Sequence, residues 1–525
     1  MGLSQIQHPD STRANYSEAA SERSCAVQDP TNKYVMRVLL AGALVLLAAI
    51  ARKSWLDIDT GWDSLAYHMP FAALRVSLIT QQQYHLSNWI SGYYDGFPVL
   101  PDYLQGILWR LTDRPQAANL VSLAGLVCVT AFFRLRYKVF FGYIVVAFLG
   151  IPVVLIQSTS TYVDLFTNCF ATILLFIIFV AWTDPARFST FDAFAALLSL
   201  AIVINSKAQF LVIGTVALLG LMLVAYINRR RFVLLGKQLQ SMAAWKRYLF
   251  SLICFCVLCA AYANPIKNVV RFRNPIYPVA AKIGPMHFQG KYPLTAAGSE
   301  PVYLSHSRQW IRWVLSVAEF NAFDERSLLW TNGQGDVKLS SPALRMGGSF
   351  GALVLFNFFF FLILQAKSRR RYGLKPSIFM IVITVITAMM PSSQEIRYYM
   401  YWVMCLVALN LVIIENGLKE PDQSTLRLIA AAAMTSFLLF VLCATGFQHV
   451  RSTGTTLETL VRDQAVGKQL LDMHLHEGET ICVEGKNPMD FLYAPRFNPS
   501  LESQYHYRVL EAYVPRDCMG KRLVP

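Results

Sequence analysis

Leu39-Leu-Ala-Gly-Ala-Leu-Val-Leu-Leu-Ala-Ala-Ile50 is followed, after six intervening residues, by Asp57-Ile-Asp59-Thr-Gly-Trp62-Asp63-Ser-Leu-Ala-Tyr67-His68-Met-Pro70. The first stretch, with its flanks from 35 to 51, approaches the ~20 apolar residues that cross a ~30 Å hydrocarbon layer. The second puts three carboxylates and a histidine at the mouth of that span. Ionisable groups beside lipid are costly, so they persist mostly where they pair, bind or react. A membrane helix opening onto a reactive face is therefore the starting hypothesis for fold and function together.

The rest of the chain extends it. Of 525 residues, 55% are hydrophobic and only 15% charged. We read apolar runs near 35–51, 117–133, 139–156, 162–182, 190–205, 208–227, 248–265, 347–365, 376–391, 398–415 and 426–446, which predicts an all-α polytopic membrane protein of about eleven spans. The net charge of +15 does not mark a nucleic-acid partner, because the basic residues sit in short clusters between spans. With the N-terminus inside, Arg134/Arg136/Lys138, Arg229–Arg231 and Lys367/Arg369–Arg371 all fall in the cytoplasm, as the positive-inside rule requires. This predicts an N-in, C-out chain. Residues 1–33 are polar and mixed in charge, and no small-residue cleavage site follows the first apolar run, so they read as a disordered cytoplasmic tail. The membrane domain then covers 34–446, with a first outer loop at 52–116 and a second at 266–346. An extracytoplasmic C-terminal region, 447–525, opens helical and continues into the strand-like Thr480-Ile-Cys-Val483, suggesting a small α/β unit. Cys482 and Cys518 lie in it and could pair in an oxidising compartment. In the first outer loop, 67–80 and 99–111 read as interfacial amphipathic helices.

Sorted by side, the polar anomalies gather on one face. Asp57, Asp59, Asp63, Tyr67, His68, Asp95 and Asp102 are in the first outer loop, and Asp164 begins a span at its outer end. Lys207 lies in an outer turn, Arg271 and Arg273 open the second outer loop, and Glu395 and Arg397 share another turn. Carboxylates able to accept a proton, beside cations able to neutralise a leaving phosphate, suit glycosyl transfer from a polyprenyl phosphate. Trp62, Tyr67, Trp89, Tyr93 and Tyr94 can stack on sugar rings or anchor the interface.

Trp62-Asp63-Ser-Leu-Ala-Tyr67-His68-Met-Pro70 resembles the first-loop motif of the GT-C-fold glycosyltransferases, a superfamily that includes protein O-mannosyltransferases and lipid A aminoarabinose transferases. Gly96-Phe-Pro98-Val-Leu-Pro101-Asp-Tyr103-Leu is similar to its "PPL…YL" element, Arg273-Asn274-Pro275-Ile-Tyr277-Pro278 to its "GNPFYP" element, and Gln394-Glu395-Ile-Arg397-Tyr398-Tyr399 to its "E-x-RY" element. Two departures stand out: Asp-Ser replaces the paired acids of many members, and Arg273 replaces the glycine. The resemblance implies Asp63 as general base with a second acidic role for Asp95, and phosphate contacts for Lys207 and Arg397. Asp59, Tyr67, His68, Arg273 and Glu395 join them as substrate-binding candidates. No metal ligand set is assigned, and a divalent metal stays open.

Each residue also has a plainer role. Asp63 and Asp164 could cap the helices they precede, Lys207 could snorkel to headgroups, and Arg397 could hold its turn through Glu395. His68 could simply be an interfacial hydrogen-bonder. The leading expectation is an inverting glycosyltransferase on the outer face of a bacterial inner membrane. Its partners would be a polyprenyl-phosphate-linked sugar, a glycan, lipid or protein acceptor and membrane lipids, with no nucleic acid. The alternatives are a flippase for lipid-linked oligosaccharides, or a polysaccharide polymerase or ligase.

Overall fold

A computed structural model describes residues 30–293, 307–318, 349–419, 422–485, 487–512, 515–518 and 520–524. Residues 1–29 of the expected tail and much of the expected second outer loop lie outside these described residues. In chain order the principal helices are α1 (Pro30–Leu56), α2 (Met69–Arg75), α3 (Asn88–Gly96), α4 (Leu100–Thr112), α5 (Leu120–Tyr137), α6 (Phe141–Leu149), α7 (Pro152–Gln157), α8 (Asp164–Thr183), α9 (Thr190–Ile204), α10 (Phe210–Ile227) and α11 (Ala244–Phe272), followed by α12 (Ser349–Tyr372), α13 (Lys375–Met389), α14 (Tyr401–Gly417) and α15 (Asp422–Ala444).

This is a helical polytopic membrane protein. Among the described residues, seven helices are long and apolar enough to cross a membrane, and α9, α13 and α14 are shorter apolar helices of 15 to 17 residues. The run expected as one span at 139–156 is instead two short helices, α6 and α7. Pro152 explains the break, since proline cannot donate to the preceding turn and ends the helix before it. α8 is the centre of the bundle: 83% of its most apolar window is buried, against 17% for α1 and α11 at the periphery. One continuous apolar core links α1, α5, α6, α8, α10, α12, α14 and α15.

A second core lies outside the bundle. It joins Ile58, Leu65, Phe71, Ile90 and Trp109 of the first loop, 52–116, to Leu457, Val466, Ile481, Phe491 and Val509 of the C-terminal region. A parallel sheet in the order β1-β6-β5-β7 stitches the two together, with β1 (Tyr84–His85) contributed by the first loop and β5 (Thr480–Glu484), β6 (Arg508–Ala512) and β7 (Arg522–Leu523) by the C-terminal region. Cys482 in β5 is disulfide-bonded to Cys518. A separate small sheet, β2 (Val279–Ile283), β3 (Met286–Phe288) and β4 (Tyr292–Pro293), follows α11.

Two of the quoted motifs brace this layer. A Cβ on Gly96 would sit 2.5 Å from the Tyr277 carbonyl oxygen, so only glycine admits that approach. Asn268 ties the two segments, donating from Nδ2 to the Gly96 carbonyl at 2.8 Å and to that of Tyr277 at 3.3 Å. Arg273, standing where the resembling motif has glycine, is the C-cap of α11 at φ 54°. That left-handed position explains why glycine suits it.

Candidate functional site

The opening stretch separates into three carboxylates with three different surroundings. Asp57 clamps the end of α1 to the start of the C-terminal region. Its carboxylate accepts from Lys53 Nζ at 2.8 Å, Ser452 Oγ at 2.6 Å, and the Thr453 and Gly454 amides at 2.9 and 2.8 Å. Burial pushes this carboxyl up, but Lys53, Ser452 and the Thr453 amide outweigh it and hold it at about 2. Asp59 reaches the buried Ser158–Val163 segment instead, accepting from Ser160 Oγ at 2.5 Å, the Thr161 amide at 3.0 Å and Ser64 Oγ at 2.5 Å. Both are consumed by holding backbone.

Asp63 is different. It precedes the π-helical turn Ser64–His68 in helical conformation and makes no capping bond. Its Oδ2 accepts from Arg397 Nη1 at 2.7 Å, across 334 residues of sequence. Arg397 Nη1 also lies 3.9 Å from Asp164 Oδ2, its Nε 3.5 Å from Glu395, and its Nη2 donates to Tyr398 Oη at 3.0 Å. Asp164 in turn is ion-paired with Lys207, whose ammonium sits 3.5 Å above the Tyr398 ring centroid. Asp164 makes no side-chain capping bond either, because Val163 is the N-cap of α8. Lys207 therefore turns inward rather than towards headgroups.

Buried polar groups around the network fix its members. Asn168 on α8 donates to the Arg397 carbonyl and accepts from the Tyr401 amide at 2.8 Å, so α8 carries the turn that holds Arg397. Gln105 on α4 donates to the Thr161 carbonyl at 2.6 Å. Ser122 on α5 donates to that of Ser160 at 2.8 Å. The Tyr162 hydroxyl accepts from the Asp63 amide at 3.2 Å. Burial raises the Asp63 carboxyl, but the Arg397 guanidinium, by its charge and its hydrogen bond, opposes this, and the net effect is a carboxylate held below its ordinary range. Burial drives the Lys207 ammonium below the usual lysine range, and Asp164 offsets only part of that.

The network borders a cavity of about 230 Å³. Asp63, Lys207, His68 and Asp102 supply its polar wall, and Trp62, Tyr67, Trp89, Tyr93 and Tyr398 are among its aromatic residues. Arg397 stands behind Asp63, outside the lining. Tyr93 is stacked against Tyr292 at 4.3 Å between centroids, and Trp89 meets Tyr93 edge-on. Tyr94 instead packs beneath the Arg75 guanidinium.

Of the residues singled out in the sequence, Asp63, Tyr67, His68, Lys207, Glu395 and Arg397 come together here. Asp59 lies beside them, saturated by backbone and hydroxyl donors. Asp95 and Arg273 do not reach the cavity: Asp95 is exposed at the end of α3, and Arg273 is exposed after α11. The cavity takes its further carboxylate from Asp102, while Asp164 stands behind it, paired with Lys207. Asp164 was legible only as a helix-start acid, and Asp102 as one of several outer-loop acids. An acid in the first turn of a helix, directly after Pro101, was the available signal. Among the described residues no three His, Cys, Asp or Glu side chains gather as a metal site would require.

No family model matches this sequence, and no curated protein matches it. Two solved structures align with it nearly end to end. One is ArnT from Cupriavidus metallidurans in the apo state, at 12% identity over 90% of this chain and 90% of that one, with a TM-score of 0.47. The other is the same protein bound to undecaprenyl phosphate, at 13% identity over 90% and 89%, with a TM-score of 0.43. The chain is similar to ArnT in the course of its backbone. Substrate and chemistry rest on the residues of this chain alone.

Proposed function

We propose that this membrane protein is an inverting glycosyltransferase that moves a sugar from a polyprenyl-phosphate donor to a hydroxyl of a cell-surface glycan, lipid or protein. One observation carries the reading: an anionic carboxylate and a lysine face the same aromatic-walled cavity, with a second cation buried behind them. Aromatic faces suit a sugar ring. Lys207 faces the cavity and can meet the phosphate of the leaving group, where a preorganised cation stabilises developing charge. Arg397 orients Asp63 and adds its field from behind. A cavity of about 230 Å³ has room for one sugar headgroup, which leaves the lipid tail to the membrane.

The reading places the cavity on the extracytoplasmic face of a bacterial inner membrane. Three features support that orientation. Arg134 and Arg136 end α5, Arg369–Arg371 end α12, and the Arg229–Arg231 turn follows α10 one span's length from the cavity residue Lys207, as cytoplasmic ends should be. The Cys482–Cys518 disulfide suits an oxidising compartment. The cavity end gathers the carboxylates rather than the basic runs.

Mass spectrometry of surface glycans from cells with the wild-type chain, with none, and with K207A tests this. The expected result is a glycan or glycolipid lacking one sugar in both the deletion and K207A cells, with the lipid-linked donor accumulating. Unchanged glycans in the deletion would overturn the proposal.

A further inference from the structure

We propose that His68, held by Asp102, takes the proton from the acceptor hydroxyl, in place of Asp63. This rests on the glycosyl-transfer reading above. Both residues line the cavity, both are buried, and His68 Nδ1 lies 3.3 Å from Asp102 Oδ1. An ionised carboxylate only accepts, so the shared hydrogen belongs to Nδ1, which leaves the lone pair on Nε2. The ring is confined by Tyr67 at 4.4 Å and Tyr162 at 6.0 Å between centroids. The titratable and charged groups around it are Asp102 from α4, Tyr162 from the segment before α8, Asp63 and Tyr67 from its own segment, and Lys207 across the cavity.

Asp63 is poorly placed for the same work. Its carboxylate is already committed to Arg397 at 2.7 Å, and a base whose negative charge is satisfied by a guanidinium has little to gain from a proton. What Asp63 can do is keep a negative charge beside the reacting carbon, where a sugar cation develops.

The step balances without a further reactant. The acceptor oxygen forms a bond to the anomeric carbon while its proton passes to Nε2. The bond from that carbon to the phosphate oxygen breaks, and the electron pair leaves on the polyprenyl phosphate beside Lys207. The imidazolium that results is held by Asp102, a positioning residue, until it returns the proton to water.

Three measurements on the full-length protein in nanodiscs of phosphatidylethanolamine and phosphatidylglycerol test this. Binding of undecaprenyl phosphate as probe should be within about twofold of wild type in H68Q and D102N, and at least tenfold weaker in K207A. Failure of the wild type to bind it would overturn the donor reading, while leaving the dyad's own test below intact. Nitrogen-15 spectra of the histidine-labelled wild type should show His68 with its neutral-form proton on Nδ1; a proton on Nε2 would overturn the dyad whatever any variant does. In host membranes supplying the native donor, H68Q should form glycan product at least about 100-fold more slowly. D102N should be slowed about tenfold, with the acid limb of its pH profile moved to lower pH because the imidazolium has lost its anion. A merely structural Asp102 would lower the rate at every pH and leave that limb in place. Unmoved, or with H68Q within threefold of wild type, the proposal fails.

Discussion

Two pairs of buried or half-buried carboxylates stand on either side of Trp62, which lines both the main cavity and a void of about 10 Å³ behind it. In the first pair, Asp63 and Asp164 share Arg397 and Lys207. In the second, Asp490 and Glu511 border the smaller void, between the C-terminal region and the first loop, with no cation among its described lining residues. Glu511 accepts from Ser87 Oγ at 3.2 Å, and Asp490 Oδ2 is buried without a partner. Burial is the largest influence on both Asp63 and Asp490, yet Asp63 is held below the ordinary carboxylate range. Burial and the neighbouring Glu511 push Asp490 up to about 8, and burial pushes Glu511 up to about 7. The difference is the counter-charge. In the first pair cations hold Asp63 anionic at neutral pH, whereas the second stores protons at a joint between two parts of the fold.

The contrast breaks most directly at Arg397. R397M should leave Asp63 and Asp164 buried with too little positive charge, costing about 3–5 kcal/mol of stability. Thermal unfolding of the purified protein checks this, and R397K should recover part of the loss. A neutral R397M would mean the first pair behaves like the second. Next is Asp57, the third environment: D57N should cost roughly 2–4 kcal/mol by stranding donors from Ser452 to Gly454, read as faster hydrogen exchange where the C-terminal region begins.

The second pair predicts a pH dependence of defined sign. The folded chain holds protons on Asp490 and Glu511 that the unfolded chain releases above about pH 4–5. Their contribution is full below that range and is lost as pH rises through about 7 to 8. Wild type should therefore soften at the joint as pH rises from about 5 to 8, and D490N should flatten the trend and melt roughly 5 °C higher at pH 8.5. An equal slope in D490N would remove the proton store from the account. Smallest of all, D95N should change stability by less than about 0.5 kcal/mol and product formation by less than about twofold, since Asp95 is exposed outside the cavity. A large loss there would move the chemistry away from the Arg397 network.

Much of this was written locally. Apolar run length and clusters of arginine are properties of short windows, so the polytopic class could be read before any contact was known. The one-sided gathering of Asp63, His68, Lys207 and Arg397 could be read as well, because span counting assigns each loop to a face. Proline's effect at 152 was legible too, although a continuous apolar run masked it.

What no window contains is which loops meet. Asp57, Asp59 and Asp63 are near neighbours in sequence with similar local patterns. They part ways because the first finds residues 452–454, the second 160–161 and the third Arg397. Asp95 and Asp102 belong to the same loop, and the motif resemblance favoured Asp95. The turn from α3 into α4 leaves one in solvent and brings the other to His68. The sequence by itself determined a membrane-spanning helical chain with its ionisable groups at one end, because hydrophobic length and charge act residue by residue. Tertiary structure alone decided which carboxylate gained a cation, which a histidine and which a proton, because electrostatic pairing depends on distances of a few ångströms between segments hundreds of residues apart.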